Sequence, residues 1–288
     1  MSSFEVSGPI EADVAVGVGL VEVIATDRTD AVVEVSGSRP GRGGDVSLAR
    51  EAVVSYESGR LKVRVPRRRS PFGQKDSVDV RIELPSGSQL TVESAYGSVR
   101  ASGELGDCRI TAKYGNVTAE TVGDLVLDAP YGTSEVTEVT GQLETTTGHG
   151  HLRIERVGGD ARLRGAHGTI ELGTTAGNVD VATSGPLTIE RSLGDVTARS
   201  AHGKIRIREA TGGSIQLENG YAEIDVGVAS GVSAWIDAVS SHGRVRNELT
   251  PDPEAAANDR VVELRLRANW ADILIRRAKG ASRKDASQ

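Results

Sequence analysis

Glycine recurs in this chain at a nearly fixed interval, in two interleaved columns. One column runs Gly97, Gly115, Gly132, Gly150, Gly168, Gly185, Gly203 and Gly220, in steps of 17 or 18 residues. The second sits half a period later, at Gly106, Gly123, Gly141, Gly159, Gly177, Gly194 and Gly212. Self-similarity at such a period is the signature of a repeat architecture. Positions two and four after each glycine are mostly apolar, with polar residues between them. Gly150 leads to Leu152 and Ile154, Gly168 to Ile170 and Leu172, Gly203 to Ile205 and Ile207. In the second column Gly106 leads to Cys108 and Ile110, Gly123 to Leu125 and Leu127, Gly177 to Val179 and Val181. Alternation with period two describes a strand with one buried face. Each half-repeat is then a short strand followed by a glycine turn, and two half-repeats make a coil.

An antiparallel meander of nine-residue units would share this punctuation. The two columns differ in character, however, so like recurs one full coil away. Before the first-column glycines stand Tyr96, Tyr114, Tyr131, His149, His167, Ser184, His202 and Asn219. Before the second stand mostly small or apolar residues, such as Leu105, Val122, Ala176 and Leu193. The expected fold is therefore all-β: a single elongated β-solenoid, parallel β-helix-like, with about 17–18 residues per coil and irregular capping ends.

The ends depart from the period and set the expected organisation. Residues 1–90 read as N-terminal capping strands, with Asp13 to Ile24, Ala31 to Ser36, Arg60 to Val65 and Ser77 to Leu84 as longer strands. Loops are expected at Ser38 to Ser47 and at Pro66 to Asp76. Residues 91–225 form the regular repeats. In residues 226–278, irregular coils and a cap, the next comparable glycine is Gly243, a step of 23 from Gly220, which points to an insertion near Gly227 to Trp235. A loop at Pro251 to Asn258 and strands Arg260 to Arg267 and Ala271 to Ile275 follow, with Trp235 and Trp270 plugging the end of the core. Residues 279–288 read as a disordered basic tail. No helix of consequence is expected.

Composition narrows the function classes. Hydrophobic residues make up 38% of the chain but aromatic ones only 3%, so the core is aliphatic and suits thin, regular coils. The net charge of -6 predicts no general affinity for nucleic acid. The basic runs Arg67 to Arg69 and Arg276 to Lys284 read as solvated loop and tail. One cysteine, Cys108, allows no intrachain disulfide and no cysteine-based zinc site. No apolar run is long enough for a membrane helix, and Met1 to Val16 lack the basic start of a signal peptide. A cytoplasmic protein is the expectation.

Several segments carry a family likeness. Ala25-Thr26-Asp27-Arg28-Thr29-Asp30 precedes the strand Ala31 to Val35, and Val78 to Gly87 leads into the repeats. The ending Asp272-Ile273-Leu274-Ile275-Arg276-Arg277-Ala278 is of the same style. Together these resemble the bacterial β-strand-repeat family DUF4097, also labelled putative adhesin or toastrack-like, from about Phe4 to Ala278. The resemblance implies a β-repeat fold and, from the adhesin label, an exposed surface protein. It carries no catalytic signature and supplies no site residues.

The candidate site is the ladder Tyr96, Tyr114, Tyr131, His149, His167 and His202. A histidine column could bind a metal or an acidic partner, or sense pH; stacked rings also shield a glycine backbone without further purpose. A polar column, Asp107, Asp124, Gln142, Asp160, Asn178 and Asp195, admits calcium binding or turn chemistry, and turn chemistry fits a single preceding glycine better. Cys108 reads as a buried core thiol. Gly17-Val18-Gly19 lies in a strand-like stretch and lacks the helix a dinucleotide site needs. The charged candidates for a polysaccharide-active enzyme, Glu171, Asp180, Arg206 and Arg208, have no predicted cleft. The reading is a non-enzymatic scaffold or protein-binding module without cofactor. Its partner is an unknown protein, and a homo-oligomer is open. The alternative is a surface adhesin or carbohydrate-binding protein.

Overall fold

The computed structural model describes residues 1–67, 76–256 and 259–278. The polypeptide divides into two compact units, Met1–Gly159 and Asp160–Gln288. Each is an all-β solenoid built on the same rule.

The first unit opens with β1 (Ser2–Glu5), β2 (Glu11–Val18), β3 (Val21–Thr26) and β4 (Asp30–Gly37). Helix α1 (Gly43–Arg50), the hairpin β5 (Val53–Glu57) and β6 (Arg60–Arg64), and β7 (Val78–Pro85) follow. The regular coils are β8 (Gln89–Tyr96) with β9 (Val99–Glu104), β10 (Cys108–Tyr114) with β11 (Val117–Val122), β12 (Leu125–Ala129) with β13 (Thr133–Val139), and β14 (Leu143–Thr147) with β15 (His151–Val157). One sheet runs β1-β4-β7-β3-β9-β11-β13-β15 and the other β5-β6-β2-β8-β10-β12-β14. Strands of successive coils pair in parallel, with Cys108 beside Leu90 and Leu125, and Ile110 beside Val92 and Leu127. Consecutive half-repeats thus lie in different sheets, as a coil requires. The inward side chains form a dry aliphatic interior: Val92, Leu90, Ile110, Leu125 and Leu127 are all at most 1% exposed. Burying each such side chain contributes roughly 1.5–3 kcal/mol. Cys108 belongs to this interior, and burial, with the nearby Asp107 charge, pushes its thiol up to about 12.

The second unit holds β16 (Ala161–Gly165), β17 (Thr169–Thr175), β18 (Val179–Thr183), β19 (Leu187–Ser192), β20 (Val196–Ser200), β21 (Ile205–Ala210), β22 (Gly213–Asn219) and β23 (Ile224–Val228). Then come β24 (Ser233–Ser240), β25 (Val245–Glu248), the short helix α2 (Pro253–Ala256), β26 (Val261–Ala268) and β27 (Ile273–Arg277). The sheets run β16-β18-β20-β22-β26-β24 and β17-β19-β21-β23-β27-β25. The last coil in the chain, β26 with β27, therefore slots between β22–β23 and β24–β25. Glycine spacing shows an insertion here but not this change of order, because the pairing of β22 with β26 is set by long-range packing.

Four expectations are corrected. The stretch Asp13 to Ile24 is two strands: the chain turns a corner at Gly19, whose φ is +138° and where a Cβ would lie 1.9 Å from the Val78 carbonyl oxygen. The loop expected from Ser38 to Ser47 contains the start of α1, an eight-residue helix. Tertiary contacts rather than propensity hold it, because Leu48 is fully buried and the buried Asp45 carboxylate pairs with Arg39 at 2.8 Å and accepts the Ser77 N–H. Arg276 and Arg277 are not tail residues: Arg276 pairs with Asp225 at 3.1 Å and Arg277 donates to the Val232 carbonyl at 2.7 Å. Trp235 and Trp270 plug nothing, being 51% and 54% exposed. Trp235 stands beside Glu263 on the outward side of β24, and Trp270 lies at a corner. Arg68, Arg69, the middle of the 66–76 loop and the 279–288 tail lie outside the described residues.

Candidate functional site

The first glycine column makes one corner of every coil. In the first unit the backbone there is unusually close. A Cβ on Gly97 would sit 1.8 Å from the Gly19 carbonyl oxygen, and one on Gly115 would sit 1.7 Å from that of Gly97. Only glycine admits such an approach, and Gly97 at φ +134° is also in a conformation that disfavours side chains. The Gly97 N–H donates to the Tyr114 carbonyl at 2.9 Å, so the residues before the glycines are drawn into register.

The rings follow the backbone. Tyr96 and Tyr114 stack with centroids 4.9 Å apart and planes 7° from parallel, Tyr114 and Tyr131 at 4.9 Å and 9°, and Tyr131 and His149 at 5.6 Å and 17°. The three tyrosines stay 43–54% exposed. Neighbouring rings cover each other's faces, leaving edges and phenol hydroxyls to solvent. In the second unit His167 is exposed, and Ser184 occupies the corner between it and His202. His202 stacks on Tyr221 at 5.1 Å, and His242 on Trp270 at 3.7 Å. Tyr96, Tyr114, Tyr131 and His149 thus stack continuously in the first unit, and His202 stacks with Tyr221 in the second. Sequence reading missed Tyr221 because it follows Gly220 instead of preceding it. The one usable signal was its place in the corner tetrapeptide Asn219-Gly220-Tyr221-Ala222.

The second corner does different chemistry. The Asp107 carboxylate accepts the Asp124 N–H at 3.0 Å, and Asp124 accepts the Gln142 N–H at 2.7 Å. In the second unit Asp160 accepts the Asn178 N–H at 2.8 Å, Asn178 that of Asp195 at 3.3 Å, and Asp195 that of Ser214 at 2.8 Å. Each side chain caps the next coil rather than its own turn. Among the described residues no three His, Cys, Asp or Glu side chains converge as metal ligands would.

The charged candidates for catalysis are dispersed. Asp180 lies on β18, in the opposite sheet from Glu171, Arg206 and Arg208. Arg164 bonds Asp180 at 3.0 Å and holds its carboxyl below the usual range. Arg206 pairs with Asp225 at 2.9 Å and Arg208 with Glu190 at 2.8 Å. These are coil-to-coil ion pairs on outward faces.

No family model matches the chain, and no curated protein matches it. Among solved structures it is similar to a protein from Bacteroides fragilis NCTC 9343 described as a putative adhesin, at 14% identity and TM-score 0.38 over 95% of each chain. It is also similar to a putative lipid binding protein from Parabacteroides distasonis ATCC 8503, at 11% identity and TM-score 0.36 over 96% of each chain. A putative cell adhesion protein from Clostridium sporogenes ATCC 15579 matches at 11% identity and TM-score 0.25, over 96% of this chain and 98% of that one. Likenesses of this size carry no argument about a ligand. The cytoplasmic expectation is nevertheless corrected here. Four similar structures are described as adhesins or cell adhesion proteins, which is at odds with it, and the start of this chain supports no conclusion about a leader.

Proposed function

We propose that this protein is a non-catalytic adhesion module that holds a surface polysaccharide along its aromatic corner. One observation carries the reading: Tyr96, Tyr114, Tyr131 and His149 form a stacked, solvent-exposed row on a corner fixed by the backbone. Rigid tyrosines lose little conformational entropy on binding, and each offers an apolar edge and a hydroxyl that donates and accepts. A row with one period of about 4.9 Å suits a chain polymer that presents hydroxyls repeatedly. The resemblance to DUF4097, with its adhesin label, supports the same reading. The scaffold reading is second, favoured by the outward ion pairs such as Arg156 with Glu138 at 2.9 Å, which stiffen a sheet face without forming a cleft.

The test is binding to a panel of bacterial and host polysaccharides by calorimetry, comparing the wild type with Tyr96→Ala/Tyr114→Ala/Tyr131→Ala. Circular dichroism establishes that the variant is folded. Loss of binding in the folded triple variant is expected; a wild type that binds no glycan, or a variant that binds equally well, overturns the proposal.

A further inference from the structure

The outermost coil of the second unit, β24 with β25, ends both of its sheets on an open edge. Among the described residues nothing pairs with the outer edge of β24, an eight-residue strand whose other edge is bonded to β26. Its inward residues Ala234, Ile236 and Ala238 are only half-buried, whereas Val262, Leu264 and Leu266 beside them on β26 are 0% exposed. Val245 on β25 is 42% exposed although its neighbour Ile273 is 0% exposed. β24 carries no proline, lysine or bulge of the kind that protects an edge. Its one charge, Asp237, is tied to Arg267 of the adjacent strand.

We propose that this edge is the interface of a head-to-head dimer, in which β24 pairs antiparallel with β24 of a second copy about a two-fold axis at Ile236. The strand's own sequence, Ser233-Ala-Trp-Ile-Asp-Ala-Val-Ser240, selects the occupant and the register. In an antiparallel pair opposed residues share a face, so a central two-fold falls on Ile236 or on Asp237. Centring on Asp237 opposes two carboxylates directly, which is unfavourable. Centring on Ile236 opposes isoleucine with isoleucine and Ala234 with Ala238 of the second copy on the inward face. On the outward face it sets Trp235 opposite Asp237 of the second copy, an indole N–H donor opposite a carboxylate. The half-buried row then becomes continuous core. A two-fold contact is closed, so the edge is used up in a dimer and does not propagate into fibres.

Sedimentation of the full chain, with cysteine pairing as the register check, tests this. Native Cys108 is buried and does not interfere. The wild type should sediment as a dimer, Ile236→Cys should cross-link to itself on oxidation, and Ala234→Cys should cross-link with Ala238→Cys but not with itself. Ile236→Lys, at a half-exposed site, should give a folded monomer. A monomeric wild type overturns the proposal, as does a dimer in which Ala234→Cys pairs with itself or one that survives Ile236→Lys. Should Ile236→Lys fail to fold, the cysteine pairs still decide.

Discussion

The two corners of a coil share a period and a glycine yet put their side chains to opposite uses. At the second corner Asp124 and its equivalents turn their oxygens onto the backbone of the next coil. At the first, glycines pack carbonyl against Cα, Asn116 makes the same kind of bond to the Thr133 N–H at 3.0 Å, and the tyrosines that precede the glycines take no part in capping. They stack on one another and face solvent. The difference teaches where display becomes possible in a solenoid: the residue before a corner glycine that does no capping can turn its side chain outward.

Both corners close around one kind of interior, and the largest effect is expected there. Ile170 is fully buried in register with Leu187, and Ile205 likewise. Ile170→Asp or Ile205→Asp would place a carboxylate in a dry aliphatic row, costing more than about 4 kcal/mol. Circular dichroism should show loss of the cooperative thermal transition; a folded variant near the wild-type midpoint would mean the row is not a core.

The next effect separates the corners. Gly97→Ala forces a methyl against the Gly19 carbonyl at a positive φ, and roughly 2–4 kcal/mol of destabilisation is expected. At the second corner a Cβ on Gly123 meets first the Asp107 carboxylate oxygen at 2.7 Å, a side-chain end that can shift at the cost of its bond to the Asp124 N–H, and backbone only at 3.0 Å, from the Gly106 carbonyl carbon. Gly123→Ala should therefore destabilise by only about 1–2 kcal/mol. Urea unfolding of both variants measures the gap, and equal losses would erase the distinction between the corners.

Much of this was legible because period and parity are local. The glycine columns place the corners, and the alternation after Gly106 or Gly177 assigns the inward faces, Cys108 included. What stayed hidden depends on distant partners. Helix α1 begins in Gly-Arg-Gly-Gly, a run that looks like a loop until Leu48 finds a buried site. The exchange of order between β24 and β26 leaves no mark, since either strand has the alternation to pair with β22. The Trp235 and Trp270 assignments failed because size was weighed over parity: Trp235 alternates with the inward Ala234 and Ile236, which puts it outside. Of the ladder, the column order predicted the stack from Tyr96 to His149, while pairing of His202 with Tyr221 arises from the shape of one turn.

A smaller effect isolates the aspartate corner. Asp124→Ala removes the acceptor for the Gln142 N–H, an exposed bond whose loss costs about 0.5–1.5 kcal/mol. Asp124→Asn keeps the oxygen and should recover most of that loss. Urea midpoints distinguish the two; if asparagine does no better than alanine, charge rather than the hydrogen bond holds this corner.

The smallest expected effect is that of His167→Ala, set against Tyr114→Ala. Tyr114 is stacked on both sides, so Tyr114→Ala should cost about 1–2 kcal/mol, an aromatic contact being worth roughly 0.5–1.5 kcal/mol and this one half-exposed. His167 is exposed, and His167→Ala should fall within about 0.5 kcal/mol of the wild type. Thermal midpoints of the two variants give the comparison. If His167→Ala were lost by several kcal/mol, the imidazole would be holding the corner together, and the rings could no longer be treated as side chains left free for display. If instead both variants were neutral, the stack would contribute nothing to folding, and its spacing would rest wholly on the glycine backbone beneath it.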